Sequence, residues 1–155
     1  MSHQKKRNGN VNGNGKRLDS EAYNFIFETA TEISEEVTEA SKSFPREKFS
    51  LANQVCRHSR LVCINLEEAW RMKEHKTLFL GKLSEAAQAA SKTQDCLEFA
   101  SKYNYIGREI FKKIDAKYED IFEDIFIMLC GDDLSMDNLE NNDELGGLLV
   151  RKTVI

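Results

Sequence analysis

Residues 46–72 read REKFSLANQVCRHSRLVCINLEEAWRM and contain neither glycine nor proline. Apolar residues recur in this stretch at steps of three, four and seven, which is the spacing of one face of an α-helix. Further apolar residues lie outside that face, so we expect the helix to pack against its neighbours and also against another subunit. The face consists of Leu51, Val55, Val62, Leu66 and Ala69, and the residues that broaden it are Cys56, Leu61, Cys63 and Ile64.

The segment before this stretch has the same helical period. A helix is predicted there from Asp19 or Ser20, which are good N-cap residues, to Phe44. It ends at Phe44 because the residue before a proline, here Pro45, is disfavoured in the helical conformation. Its apolar face is Tyr23, Ile26, Phe27, Ala30, Ile33, Val37 and Phe44, and its acidic, solvated face is Glu28, Glu32, Glu35, Glu36 and Glu39.

Two more helices are predicted after residue 72, over about 76–102 and 107–130. Asn104 is the predicted C-cap of the third helix, and Gly131 ends the fourth. The centre of the third helix is rich in alanine, which allows another backbone to approach closely. The predicted core faces are Phe79, Leu83, Ala86, Ala90, Thr93, Leu97 and Ala100 in the third helix, and Phe111, Ile114, Tyr118, Ile121, Ile125 and Met128 in the fourth.

The four predicted helices indicate an all-α protein. Short links join them, so the natural packing is an up-down-up-down antiparallel four-helix bundle. One proline and eight glycines in 155 residues leave little turn chemistry for a many-stranded β-sheet protein.

Both ends of the chain differ in composition from this bundle. Residues 1–17 contain five basic residues, no acidic residue and repeated Asn-Gly pairs, which predicts a flexible basic tail. Residues 131–155 contain six acidic residues before the ending LGGLLVRKTVI, which predicts an acidic C-terminal tail. We expect both tails to be disordered and the bundle to span residues 18–130.

The net charge of the chain limits the functions that can be expected of it. The chain has 22 basic and 26 acidic residues, and residues 18–130 keep 15 of the basic and 20 of the acidic ones. The protein as a whole is therefore not an electrostatic attractant for nucleic acid, and any such contact by the bundle needs a local basic face.

The sequence also predicts a compartment. No apolar run is long enough for a secretory signal or a membrane span, so we expect no membrane contact. The four cysteines (Cys56, Cys63, Cys96 and Cys130) have no C-x-x-C spacing. Cys56 and Cys63 lie about 10 Å apart along one helix, too far for a disulfide. These observations predict buried, reduced thiols in a cytoplasmic protein.

The residues do not assemble a recognisable catalytic or metal-binding pattern. None of the histidines (His3, His58 and His75) has a serine or cysteine partner at helical spacing with an orienting group behind it. His58 with Cys56 and Cys63 does not match the spacing of a structural zinc site. We therefore predict a protein that is not an enzyme and that has no cofactor and no metal.

Two polar residues interrupt the apolar character of the second helix. Asn65 and Glu68 lie one turn apart and form either a ligand site or a structural pair. We favour the structural interpretation, in which a neighbouring helix satisfies the Asn65 amide and Glu68 pairs with a base such as Arg71 or Arg57. Polar groups in bundle cores set register and oligomeric state more often than they take part in catalysis.

Basic residues are the candidates for nucleic-acid binding. If the chain forms a ring, a weak phosphate-binding patch repeats once per subunit and becomes multivalent. An equally open interpretation pairs Arg57 and Arg60 with acidic residues between subunits. The candidates are Arg57, Arg60, Arg71 and Lys73 in the second helix and beyond it, and Lys5, Lys6, Arg7, Lys16 and Arg17 in the basic tail.

The order of several motifs over residues 18–130 resembles a known family. A Phe-Pro turn at Phe44-Pro45 is followed by Leu51, Gln54, Arg57, Val62, Asn65, Leu66, Glu68 and Trp70, and then by Phe79, Leu83, Thr93, Leu97, Ala100 and Tyr105-Ile106. This pattern is similar to that of the bacterial four-helix-bundle proteins encoded by intervening sequences in 23S ribosomal RNA genes. A related branch is the accessory variability determinant of diversity-generating retroelements.

The resemblance implies a homopentameric ring with no catalytic activity. It also implies structural or oligomer-forming roles for the residues that match the family pattern, which are Gln54, Arg57, Asn65, Glu68 and Trp70.

Two functional hypotheses follow. The first is a non-enzymatic, homo-oligomeric accessory protein that binds RNA or other nucleic acid through its repeated basic face and basic tails. The family resemblance implies that the oligomer is a pentamer. The alternative is a scaffold that docks a partner protein through the acidic and apolar C-terminal tail, or an accessory subunit of a retroelement reverse transcriptase.

Overall fold

The computed structural model describes residues 20–130, which form four α-helices and one short 3-10 helix. Each helix contacts the next one along the chain, and α4 also contacts α1. The helices are α1 (Ser20–Ser41), α2 (Phe49–Arg71), α3 (Lys76–Lys102) and α4 (Arg108–Leu129), with the 3-10 helix at Arg46–Lys48. This arrangement confirms the predicted up-down-up-down four-helix bundle.

The apolar faces predicted from the helical period form the core. Phe27, Leu51, Phe79, Phe111 and Met128 lie at its margin, where they are half-buried. The fully buried members include Ile33, Val37, Val55, Val62, Leu66, Leu83, Leu97, Ile114, Tyr118, Ile121 and Ile125. Burial of such side chains stabilises each helix by about 1.5–3 kcal/mol per large residue.

The closest helix pair is α2 with α3, as the small residues of α3 predict. These two helices make the most extensive contact in the bundle. Ala86, Ala87, Ala89 and Ala90 are all buried at the centre of α3. Their short side chains let α2 approach closely, and this approach brings polar residues of the two helices together at the surface.

The junction between α1 and α2 differs from the prediction. Helix α1 ends at Ser41, three residues before Phe44, and α2 begins at Phe49 after the 3-10 turn. Backbone N–H groups of residues 42–44 bond to carbonyls three residues earlier, which tightens the end of α1. Phe44 is nevertheless buried, and Pro45 (φ −53°, ψ 144°) leads into the 3-10 helix.

The end of α3 matches the prediction and is well defined. Asn104 has a left-handed backbone conformation with φ 58°. The N–H of Tyr105 bonds to the Ala100 carbonyl at 2.8 Å, and the N–H of Asn104 bonds to the Ser101 carbonyl at 3.1 Å. These two bonds form a Schellman motif, in which asparagine is one of the residues that tolerate the left-handed position. The predicted role of Gly131 lies outside the described residues.

Candidate nucleic-acid interface

The middle of α2 presents two arginines to solvent. Arg57 and Arg60 lie one turn apart and both are exposed. Within residues 20–130, neither forms an ion pair with an acidic side chain. Their guanidinium groups are therefore available to an external anion. Their pairing with acidic residues of another subunit stays a prediction.

Helix α3 adds a third cation, Lys92, to the two arginines of α2. Lys92 is exposed, and it too has no acidic partner in the part of the chain that the structure describes. The half-buried His58 lies within electrostatic range of cations on both helices. Its pKa is lowered by burial and then by the charges of Lys92 and Arg57. We call Arg57, Arg60 and Lys92 the central basic face, with the imidazole of His58 kept neutral beside them.

The central basic face has the chemistry that phosphate groups require. Arginine offers a planar fork of N–H donors that matches phosphate oxygens, and lysine offers a compact point charge. Cations without acidic partners bind phosphates with a more favourable free energy, because no existing ion pair has to be broken. Such contacts fix the position of a nucleic acid without reading its sequence.

The other two predicted cations of this region are already engaged. The Arg71 guanidinium bonds to a Glu67 carboxylate oxygen at 2.6 Å, and both side chains are largely exposed. The Lys73 ammonium lies 3.9 Å from the centre of the Trp70 ring. The structure therefore separates Arg71 and Lys73, at the C-terminal end of α2, from the pair at its middle.

Lys92 is the member of this face that sequence reasoning missed. It lies on a different helix from Arg57, so only the register between α2 and α3 brings the two together. The periodicity of each helix predicts its buried face but not this register. A signal exists in the antiparallel connection, since the short link after α2 places the middles of α2 and α3 side by side.

Glu68 pairs with a basic residue, as predicted, but neither of the two residues named as examples is that partner. Glu68 pairs with Lys82 of α3 at 3.0 Å rather than with Arg71 or Arg57. The Lys82 ammonium also bonds to Glu85 at 2.9 Å, and these carboxylates raise the pKa of Lys82, with Glu85 contributing most. The side chain of Glu68 therefore joins α2 to α3.

The other residues of the family pattern differ in burial, since Trp70 is half-buried, Asn65 is buried and Gln54 is exposed. The Trp70 ring stacks on Tyr23 of α1 with 4.4 Å between centroids, which supports a structural role. Asn65 is buried, but its amide forms no hydrogen bond with another residue in 20–130, so the predicted partner on a neighbouring helix is not found. Gln54 is exposed and lies one turn before Arg57.

The cysteines are free, as predicted, but their predicted burial is wrong. Cys56, Cys63, Cys96 and Cys130 are each half-buried. Burial raises the pKa of the Cys63 and Cys96 thiols, which keeps them protonated and weakens them as nucleophiles. Among residues 20–130, no three His, Cys, Asp or Glu side chains are grouped so that they could hold a metal ion.

Several predicted features lie outside the described residues. They are the basic tail with Lys5, Lys6, Arg7, Lys16 and Arg17, and the acidic tail over residues 131–155. Within 20–130, no helix has both the length and the apolar character needed to cross a membrane.

Comparison with known proteins agrees with the bundle. A search of curated proteins found no match. A crystal structure of a protein of unknown function from the S23 ribosomal protein family of Bacteroides thetaiotaomicron VPI-5482 has the same fold, with a TM-score of 0.64 and 22% sequence identity. The match covers 70% of this chain and 97% of that one. The family model of the 23S rRNA-intervening sequence protein matches residues 24–126, which is more than half of the chain. The chain therefore belongs to the 23S rRNA-intervening sequence protein family.

Proposed function

We propose that this protein is a non-enzymatic, cytoplasmic accessory protein that forms a homo-oligomer, a pentamer, and binds RNA or other nucleic acid through the central basic face. The observation that carries the proposal is the grouping of Arg57, Arg60 and Lys92 on α2 and α3 without acidic partners in the described chain. In an oligomer this face repeats, and several weak phosphate contacts then act on one nucleic acid together.

Apolar surface on α2 supports the assembly part of the proposal. Ile64 is 47% exposed on the single chain, and Leu61, Cys56 and Cys63 are half-buried. Contact with another subunit would remove this surface from water, which is favourable by about 25 cal/mol per Å² of apolar area. Light scattering at micromolar concentration tests this part, and a monomer mass would contradict it.

The state of the thiols and of the histidine supports a function without catalysis. Cys63 and Cys96 have raised pKa values, and His58 has a lowered pKa because of burial and neighbouring cations. A nucleophilic cysteine needs the opposite shift. Phosphate binding by fixed cations requires no such activation.

The charge of the bundle supports RNA rather than a retroelement reverse transcriptase as the proposed partner. Residues 18–130 carry more acidic than basic residues, and a broadly basic bundle would suit that role better. Recovery of a reverse transcriptase with the protein from its own cell would reverse this order.

The test is a salt-titrated binding assay with a labelled RNA of about 20 nucleotides and the full-length protein. The test variant is R57Q/R60Q/K92Q, and the matched control is R71Q/K73Q/K76Q, which removes the same charge from the end of α2 and the start of α3. We expect the test variant to bind at least about tenfold more weakly and to lower the salt slope by about 2, since each lost phosphate contact lowers it by about 0.7. The control should change the affinity less than about threefold.

An equal loss in the two variants would mean that only total charge matters and would contradict the proposal. So would a wild-type protein that binds no RNA at low salt. Deletion of residues 1–17 in a separate variant measures the contribution of the basic tail.

A further inference from the structure

A cluster of aromatic rings lies on the surface where α3 ends. Phe99 is 42% exposed and Tyr103 is 60% exposed, and their ring centroids are 4.5 Å apart. Tyr105 is half-buried beside them, with its centroid 5.9 Å from Tyr103 and 6.4 Å from Phe99. We call Phe99, Tyr103 and Tyr105 the aromatic platform. Exposed apolar clusters of this kind usually mark an interaction site.

The aromatic platform surrounds a turn that backbone hydrogen bonds hold in place. The left-handed Asn104 turns the chain between Tyr103 and Tyr105, and the Schellman bonds hold that turn. The Tyr105 ring lies 6.0 Å from the ring of buried Phe44, and the Ser43 hydroxyl donates to the Tyr105 carbonyl at 2.8 Å. The rings are thus positioned in advance, which lowers the entropic cost of stacking another ring on them.

The end of the bundle that carries the aromatic platform is also basic. The α1–α2 connection and the start of α4 meet at this end, because Ser43 contacts Tyr105. Exposed cations follow both contact points in sequence. None of them is ion-paired with an acidic group in residues 20–130. They are Arg46, Lys48, Arg108, Lys112 and Lys113, and they outnumber the exposed acids of the same segments, Glu47 and Glu109.

The aromatic platform continues the central basic face along α3. Phe99 and Tyr103 follow Lys92 by seven and eleven residues, which are about two and three helical turns. The three side chains therefore leave α3 in nearly the same direction and form one strip, from a cation to two exposed rings. The exposed carboxylate of Asp95 lies beside this strip and opposes a polyanion there.

We propose that the aromatic platform stacks the unpaired bases of a single-stranded RNA whose phosphates contact the cations at this end of the bundle and the central basic face. This inference rests on the proposed function and adds to it the form of RNA that is bound. Single-stranded nucleic acid combines the two chemistries that the strip offers, since its bases stack on aromatic rings and its backbone follows basic residues. In a duplex the base faces are already stacked and cannot contact the rings.

The basic surroundings favour RNA over a second copy of this chain as the occupant. Copies of one chain would bring the same unpaired cations together around the rings, and like charges repel. A nucleic acid neutralises them instead.

The experiment uses the full-length protein, an unstructured labelled RNA of about 20 nucleotides, and the same strand annealed to its complement. The test variant is F99L/Y103L, which keeps apolar surface but removes the rings. The matched control is F25L, which replaces a partly exposed ring at the opposite end of the bundle. We expect the test variant to bind the single strand at least about tenfold more weakly and the duplex as the wild type does. The fluorescence change of 2-aminopurine in the single strand on binding should also disappear.

The other possible results distinguish a failure of the stacking inference from a failure of the proposed function. If F99L/Y103L binds the single strand as the wild type does while R57Q/R60Q/K92Q does not, the stacking inference is wrong and the proposed function stands. If the wild type binds neither RNA, both are wrong. A changed oligomer mass in F99L/Y103L by light scattering would assign the aromatic platform to a contact between copies and would overturn the inference.

Discussion

Tyr118 is a buried side chain with a hydroxyl group that is unsatisfied within residues 20–130. It lies at the middle of α4 with no exposed surface, and its hydroxyl has no hydrogen-bond partner within the described chain. The nearby Thr93 hydroxyl donates to the Ala89 carbonyl at 2.8 Å within its own helix. A buried hydroxyl without a partner loses its bonds to water on folding and gains nothing in return.

Replacement of Tyr118 by phenylalanine should therefore stabilise the protein. We expect the free energy of unfolding of Y118F to rise by about 1 kcal/mol in urea titrations at pH 7. Y103F, which changes an exposed tyrosine, is the control and should have no effect. A loss of more than about 1 kcal/mol in Y118F would mean that the hydroxyl has a partner after all, such as a buried water.

The same substitution should remove a sensitivity to alkaline pH. Burial raises the pKa of Tyr118 well above its usual range. The unfolded chain then releases this proton from about pH 10 upward while the folded chain keeps it, so stability falls as pH rises above 10. The advantage of Y118F over the wild type should consequently grow above pH 10.

At the scale of the helix, the end of α3 depends on the left-handed residue Asn104. A β-branched side chain is strongly disfavoured at φ 58°. We expect N104V to lower the free energy of unfolding by about 1–2 kcal/mol, and N104G to leave it unchanged or raise it slightly. Thermal denaturation followed by circular dichroism measures both changes.

The control for this prediction is N53V on the exposed surface of α2. Asparagine and valine have similar helix propensities, so this change should cost only a few tenths of a kcal/mol. Equal destabilisation by N104V and N53V would show that the turn after α3 is not a stability determinant.

Helices are also the scale at which the sequence was most informative. Periodicity predicted the core faces and the bounds of α3, because each depends on residues that are near in sequence. It did not predict the 3-10 turn at Arg46–Lys48, where the N–H of Lys48 bonds to the Pro45 carbonyl at 2.8 Å. The Glu68–Lys82 pair and the closeness of Lys92 to His58 also escaped it, because both depend on how α2 and α3 are aligned.

For the whole molecule, the distribution of charge matters more than its sum. The exposed face of α1 carries Glu28, Glu32, Glu35 and Glu39. Helix α1 packs against α2 and α4, so it lies diagonally across the bundle from α3. Lys92 therefore lies on the helix that is diagonal to these acids, while Arg57 and Arg60 lie on α2, which α1 contacts directly. Contacts between these cations and phosphates are local, whatever the formal charge of the whole chain.

A local site predicts that a change in net charge cannot replace the central basic face. The combined variant R57Q/R60Q/K92Q/E28Q/E32Q/E35Q has the formal charge of the wild type, since three cations and three anions are removed. We expect it to bind RNA as weakly as R57Q/R60Q/K92Q does at 0.15 M salt, because the phosphate contacts are lost and removal of acidic residues restores no cation. Fluorescence anisotropy with the same labelled RNA measures this. Recovery of wild-type affinity would show that the protein attracts RNA through its overall charge, and the local site on α2 and α3 would then have to be abandoned.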